Sequence, residues 1–204
     1  MAGHVSWRPS RSSISSRSPT LSEVLSDLGY VERVLPLTAR EAPARHVRYA
    51  LRDAFLRFWY RFVFPNQSLI REDSQAAFRD EIAGGLESYF GQCFERLCRD
   101  ALGRVYAEEG VRAAYKVGQY WDKFVQIDVV GLRRDNWIDL GECKWGGVPS
   151  APALVGELEQ KVQLYPNKAN DSIGRLIFTR RSVKAPKEGT LARFFSLEDL
   201  YSLG

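Results

Sequence analysis

Three residues in the second half of the chain have types and spacing suited to phosphate chemistry. Glu142 and Lys144 alternate in WIDLGECKWGG, residues 137–147, so on a strand they share one face while Cys143 and Trp145 share the other. Asp128 stands in QIDVV, an otherwise aliphatic run, and a buried carboxylate is costly unless a cation or hydrogen-bond donors meet it. If the two runs are paired neighbours joined through the polar turn RRDNW, their side chains converge. Two carboxylates then suit a hard divalent cation, Mg2+ or Mn2+, with the backbone carbonyl of Cys143 completing the metal's inner shell. Lys144 would orient the attacking water and stabilise the developing oxyanion, an arrangement suited to phosphodiester hydrolysis. Because a lysine pKa falls readily on partial burial, Lys144 could also accept a proton. Against this stands the ordinary reading of an isolated E-x-K triplet as a solvated strand face.

The elements that must position these residues follow from the local patterns. Thr20 and Glu23 form a capping box, Leu21, Val24, Leu25 and Leu28 make one helical face, and Gly29 is the stop. YVERVLPLT and RHVRYALRD flank AREAPA as a two-stranded ribbon with a loop. A helix followed by a ribbon is the back half of a winged helix, so residues 20–66 read as a partial winged helix plus an aromatic linker helix. That linker, capped by Asp53, puts Phe55, Phe58, Trp59, Phe62 and Val63 on its apolar side and ends at Pro65.

From Ser74 to about Leu102 a helical pattern interrupted by Gly84 and Gly85 carries Phe78, Ile82, Leu86, Phe90, Cys93, Leu97 and Ala101 as one stripe, with Glu95 just off it. Three strand-like runs, a helix over 153–165 ending at Pro166, a buried strand at SIGRLIFTR, and a short strand plus terminal helix complete the chain. The order helix, three strands, helix, strand implies an α/β fold, an α+β mixed sheet with helices on both faces.

Composition narrows the classes. A chain of 204 residues, 45% hydrophobic and 12% aromatic, fits one globular domain with a small appendage. The net charge of +4 and pI near 9.0 suit a polyanionic partner without requiring one. Cys93, Cys98 and Cys143 form no C-x-x-C pair, and the only histidines are His4 and His46, which argues against a disulfide framework, a structural zinc and a histidine-centred triad. No G-x-x-x-x-G-K-[ST] loop is visible, and no apolar run nears membrane-spanning length, so the cytoplasm is the expected compartment. Residues 1–19, rich in Ser and Arg, read as a disordered arm, with a transit peptide or a truncated start as the alternatives.

In order, RDAFLRFWYRFVFPN, FGQCFERLC, QIDVVGL and GECKW resemble the C-terminal domain of unknown function attached to prokaryotic AAA-type (archaeal-type) ATPases. Asp128 followed by Glu142-x-Lys144, after a helix bearing GQCFERL, resembles the PD-(D/E)xK nuclease superfamily more broadly. The resemblance implies a restriction-endonuclease-like αβββαβ core over residues 67–204, Asp128 and Glu142 as metal ligands, Lys144 as base or electrostatic stabiliser, and Glu95 as an auxiliary ligand. It also implies DNA as substrate and a separate ATPase domain or protein as partner, with a homodimer compatible and no membrane involved.

The chain departs from the pattern in lacking the preceding ATPase domain and half of the winged helix, and Ile127 replaces the proline of the superfamily's name. A catalytically inactive module that docks DNA or an ATPase is the alternative, as is an inactive truncated descendant of a longer protein. Gln160 and Gln163 are weaker DNA-contact candidates. Arg175, Arg180, Arg181, Lys184 and Lys187 could hold phosphates or be ordinary loop charge. Trp145 reads as sheet packing and Cys143 as a buried small residue rather than a nucleophile.

Overall fold

The computed structural model describes residues 20–38, 46–148, 150–184 and 191–203; the expected arm at 1–19, the ribbon loop at 39–45 and Lys187 lie outside the described residues. Helix α1, Leu21–Asp27, carries the anticipated capping box, and Gly29 follows it with φ 78°. Strands β1, Val31–Val34, and β2, Arg48–Leu51, pair antiparallel. The helical face expected on α1 is exposed at Leu21, Val24 and Leu28, and the helix buries no residue.

The aromatic segment does not stop at Pro65. Helix α2, Ala54–Phe58, is capped by Asp53 and runs into a π turn at Trp59–Val63, a 3-10 turn at Phe64–Asn66 that absorbs the proline, and then α3, Gln67–Glu72. Phe58 and Phe62 pack on Tyr89 and Ile82, whereas Phe55 faces solvent. Gly85 makes this approach feasible, because a Cβ there would lie 2.8 Å from the Phe62 ring.

After α4, Ser74–Ala77, a second π turn at Phe78–Ile82 leads into α5, Ala83–Glu108, which passes through Gly84 and Gly85 and extends beyond Leu102. Of the expected stripe, Ile82, Leu86 and Cys93 pack with Phe62 and Tyr89, and Leu97 and Ala101 pack toward the sheet. Phe78 and Phe90 are exposed; the residues α5 buries toward the sheet are Phe94, Cys98, Ala101, Leu102 and Val105.

The sheet is five-stranded and mixed, in the order β3, Tyr115–Trp121; β4, Gln126–Arg133; β5, Trp137–Lys144; β6, Ser172–Thr179; β7, Ala192–Ser196. The first two pairings are antiparallel and the last two parallel. Helix α6, Ala151–Leu164, crosses between β5 and β6 and covers one face with Leu154, Leu158 and Val162. Helix α5 covers the other, joined by Leu200 of α7, Leu197–Ser202. Each fully buried leucine contributes about 1.5–3 kcal/mol of transfer free energy. The mixed α/β order expected from the sequence is therefore the observed one, and α5 and α6 fix the two sides from which side chains reach the strand ends.

Candidate functional site

Between the pairs Gly118–Val130 and Tyr120–Ile127 the register of β3 and β4 shifts, so Asp128 and Val129 together oppose Gln119. This β-bulge bends β4. Pairing with β5 ends at Val129 and Gly141, and the Asp128 side chain takes over where the ladder stops, its Oδ2 accepting the Cys143 N–H at 3.0 Å. Arg99 of α5 donates to the Asp128 carbonyl at 2.8 Å.

Alternation along β5 sends Glu142 to the α6 side, where Lys144 Nζ lies 3.1 Å from its Oε1 and Lys161 of α6 donates to its Oε2. Lys144 also reaches Glu157, at 2.7 Å. Asp128 is 6% exposed and Glu142 4%, which makes this a buried acidic pair. Glu95 joins from α5, 3.9 Å from Arg99, and lines a cavity of ≈ 520 Å³ between α5 and the β1–β2 ribbon together with Arg57, Arg61, Arg96 and Arg99.

The electrostatics place these groups in one neighbourhood. Burial, then the charge of Glu142, raises the Asp128 carboxyl, and the Cys143 N–H, Lys161 and Arg99 only partly offset this. Burial, then Asp128, pushes Glu95 up to about 7 against the pull of Arg99. Burial pulls the Lys144 ammonium down, but its hydrogen bond to Glu157 and the charge of Glu142 outweigh this and hold it above the ordinary lysine value. The proton-accepting role expected for Lys144 from burial alone is therefore opposed by its two carboxylate partners. The Cys143 thiol is raised well above its ordinary value by burial and its contact with Cys98, which leaves it a packing residue. Its backbone meets Asp128 through the N–H.

Of the weaker candidates, Gln160 and Gln163 are exposed on α6, and between them Val162 packs on the sheet while Lys161 reaches Glu142. Arg175 is held by Glu159. Lys161 and Glu157 are the site residues that the sequence reading missed; their i, i+4 spacing on α6 was the available signal, since it puts both on one helical face.

Oxygen donors with raised pKa values at a strand end suit a hard cation. Among the described residues, however, no three His, Cys, Asp or Glu side chains are grouped ready to hold a metal, and Lys144 and Lys161 already occupy Glu142. A divalent ion at Asp128 and Glu142 would have to displace Lys161 from the Glu142 Oε2 position.

No helix among the described residues is long and apolar enough to cross a membrane. No solved structure matches the chain. An uncharacterized protein of Methanocaldococcus jannaschii is 28% identical over 123 residues, 59% of this chain and 27% of the relative, so the chain spans about a quarter of the length of the curated relative it matches. Residues 59–154, which contain Glu95, Asp128, Glu142 and Lys144, match the family DUF234, and across that segment the chain is similar to archaeal and bacterial proteins of unknown function.

Proposed function

We propose that the chain is a nuclease-like module that hydrolyses DNA phosphodiester bonds with a divalent cation, Mg2+ or Mn2+, held by Asp128 and Glu142. The observation that supports this reading is that Asp128, Glu142 and Glu95, from two strands and a helix, lie near enough at the bulged end of β4 to feel one another's charge, with Asp128 and Glu95 both raised. When bound, such a cation offsets charge on the scissile phosphate and acidifies the attacking water. Lys144, kept protonated by Glu157 and Glu142, serves as a fixed positive charge for the developing oxyanion rather than as a base. Glu95, at about 7, is the group placed to exchange a proton near neutral pH. Arg99 positions β4 through the Asp128 carbonyl. The ATPase association and the assignment to the PD-(D/E)xK superfamily belong to the same proposal and rest on the motif order.

One feature favours a second reading, a non-catalytic module that docks DNA or an ATPase. Both Glu142 oxygens already have lysine partners, which is how a purely structural ion cluster would look. Incubating supercoiled plasmid and single-stranded DNA with the protein in Mg2+ or in EDTA, beside Asp128→Ala and Lys144→Ala, separates the two. Hydrolysis predicts Mg2+-dependent cleavage that falls by about 10²–10³ in either variant. Binding without cleavage favours the docking module, and cleavage that survives both substitutions places the chemistry elsewhere.

A further inference from the structure

At the C-terminal ends of β5 and β6, the chain forms a second cavity, of ≈ 390 Å³, whose lining includes Trp145, Gly146, Gly147, Arg180 and Arg181. The Arg180 N–H donates to the Lys144 carbonyl at 3.0 Å, so this cavity is attached to the same strand end that presents Lys144. It lies toward α5, since Trp145 packs on Phe90 and Phe94, whereas Lys144 reaches α6.

Three features of the lining point to an anion. Arg180 and Arg181 have no carboxylate within ion-pair distance among the described residues, in contrast to Arg96, Arg99, Arg175 and Arg193. The Arg180 guanidinium is stacked over the Trp145 ring, 4.5 Å from its centroid, a geometry that fixes the planar fork and leaves its N–H edges available. The Trp145 indole N–H is buried and has no acceptor among the described residues, an unmet donor that costs free energy unless something supplies an oxygen. Gly146 and Gly147 add backbone with no side chain to block approach, and Glu87 of α5 is the one acid in the lining among the described residues.

We propose that this cavity binds a backbone phosphate of a nucleic-acid strand, next to the phosphate addressed by Asp128, Glu142 and Lys144. The proposal deepens the nuclease reading by assigning the path of the substrate strand. Its test is independent of cleavage. A fluorescently labelled single-stranded oligonucleotide is titrated with the full chain in EDTA over a series of salt concentrations, and binding is followed by anisotropy.

Arg180→Ala/Arg181→Ala is expected to lower affinity about tenfold near 0.1 M salt and to reduce the logarithmic salt slope by about 0.7, the value for one lost single-strand phosphate contact. Arg181→Ala alone, which uncovers no aromatic ring, should lose about half of that slope and keep the wild-type melting temperature. Arg112→Ala, an exposed arginine in the turn before β3, should change neither. Unchanged affinity and slope in the double variant, or an equal loss in Arg112→Ala, would overturn the site. Micromolar binding of inorganic phosphate alone, measured by calorimetry, would also overturn it by making the cavity a free-phosphate site. If plasmid cleavage is absent while the double variant still loses binding, the hydrolytic reading falls and the phosphate site stands; cleavage with unchanged binding gives the reverse.

Discussion

Strand β5 carries two buried acids three residues apart, and they are treated in opposite ways. Asp139, fully buried, faces α5: its Oδ2 accepts from Tyr106 Oη at 2.7 Å, its Oδ1 accepts from Trp137 Nε1 at 3.3 Å and from Arg193, and Arg133 stands 3.9 Å away. Gly131 keeps room for this network, because a Cβ there would lie 2.0 Å from Tyr106 Oη. Glu142 faces α6, and it raises the pKa of its acidic neighbours Asp128 and Glu95. Burial of charge alone therefore does not mark a site on this strand. Around Asp139 the donors saturate one carboxylate, whereas beside Glu142, itself paired with Lys144 and Lys161, the Asp128 and Glu95 carboxyls are raised by burial and by neighbouring carboxylates.

The contrast can be broken at either end. The largest expected effect is on stability: Asp139→Ala strands Arg193 and Tyr106 without their acceptor and should cost about 3–5 kcal/mol in urea unfolding. A cost under about 1 kcal/mol would mean that the network is not structural. At the other end, Lys144→Ala should leave folding nearly intact while cleavage drops by about 10²–10³, equivalent to about 3–4 kcal/mol of transition-state stabilisation. A variant that unfolds instead would make the Glu142 cluster as structural as the Asp139 one. Lys161→Met removes the ammonium that competes for Glu142 and should tighten Mn2+ binding about tenfold, or about 1.4 kcal/mol, by calorimetry; weaker binding would make Lys161 a supporting group rather than a competitor.

The smallest effect concerns pH. Glu95 rises in the fold from an ordinary 4.5 to about 7, so the folded chain holds this proton more tightly than the unfolded one does. The stability so gained is complete below about pH 4.5 and is lost as the pH rises through about 7. Glu95→Gln should flatten that decline by about 1 kcal/mol once solvent screening is allowed for, as read from urea midpoints at either end of the window. Identical slopes for the variant and the wild type would remove Glu95 from the cluster.

Much of this architecture was legible in the sequence because each strand is a short apolar run closed by glycine or polar turn residues, and α6 is bounded by Ser150 and Pro166. Asp128 and Glu142 stood out because a carboxylate inside an aliphatic run demands a partner. The β4 bulge was not legible, since an inserted residue is visible only against the partner strand. The π turn before α5 was not legible either, and Phe78, which starts it, is exposed, as is Phe90 further along α5. Lys161 looked like any surface lysine until the crossover of α6 set it over β5, and the protonation of Lys144 depended on Glu157, thirteen residues away.

The central claim, that the acids at the bulged end of β4 form a cation site, is tested most directly by Mn2+ titration followed by electron paramagnetic resonance, comparing the wild type with Asp128→Asn. The expected result is one bound Mn2+ per chain in the wild type and loss of that ion in the variant. No bound Mn2+ in the wild type, or equal binding in the two proteins, would contradict it.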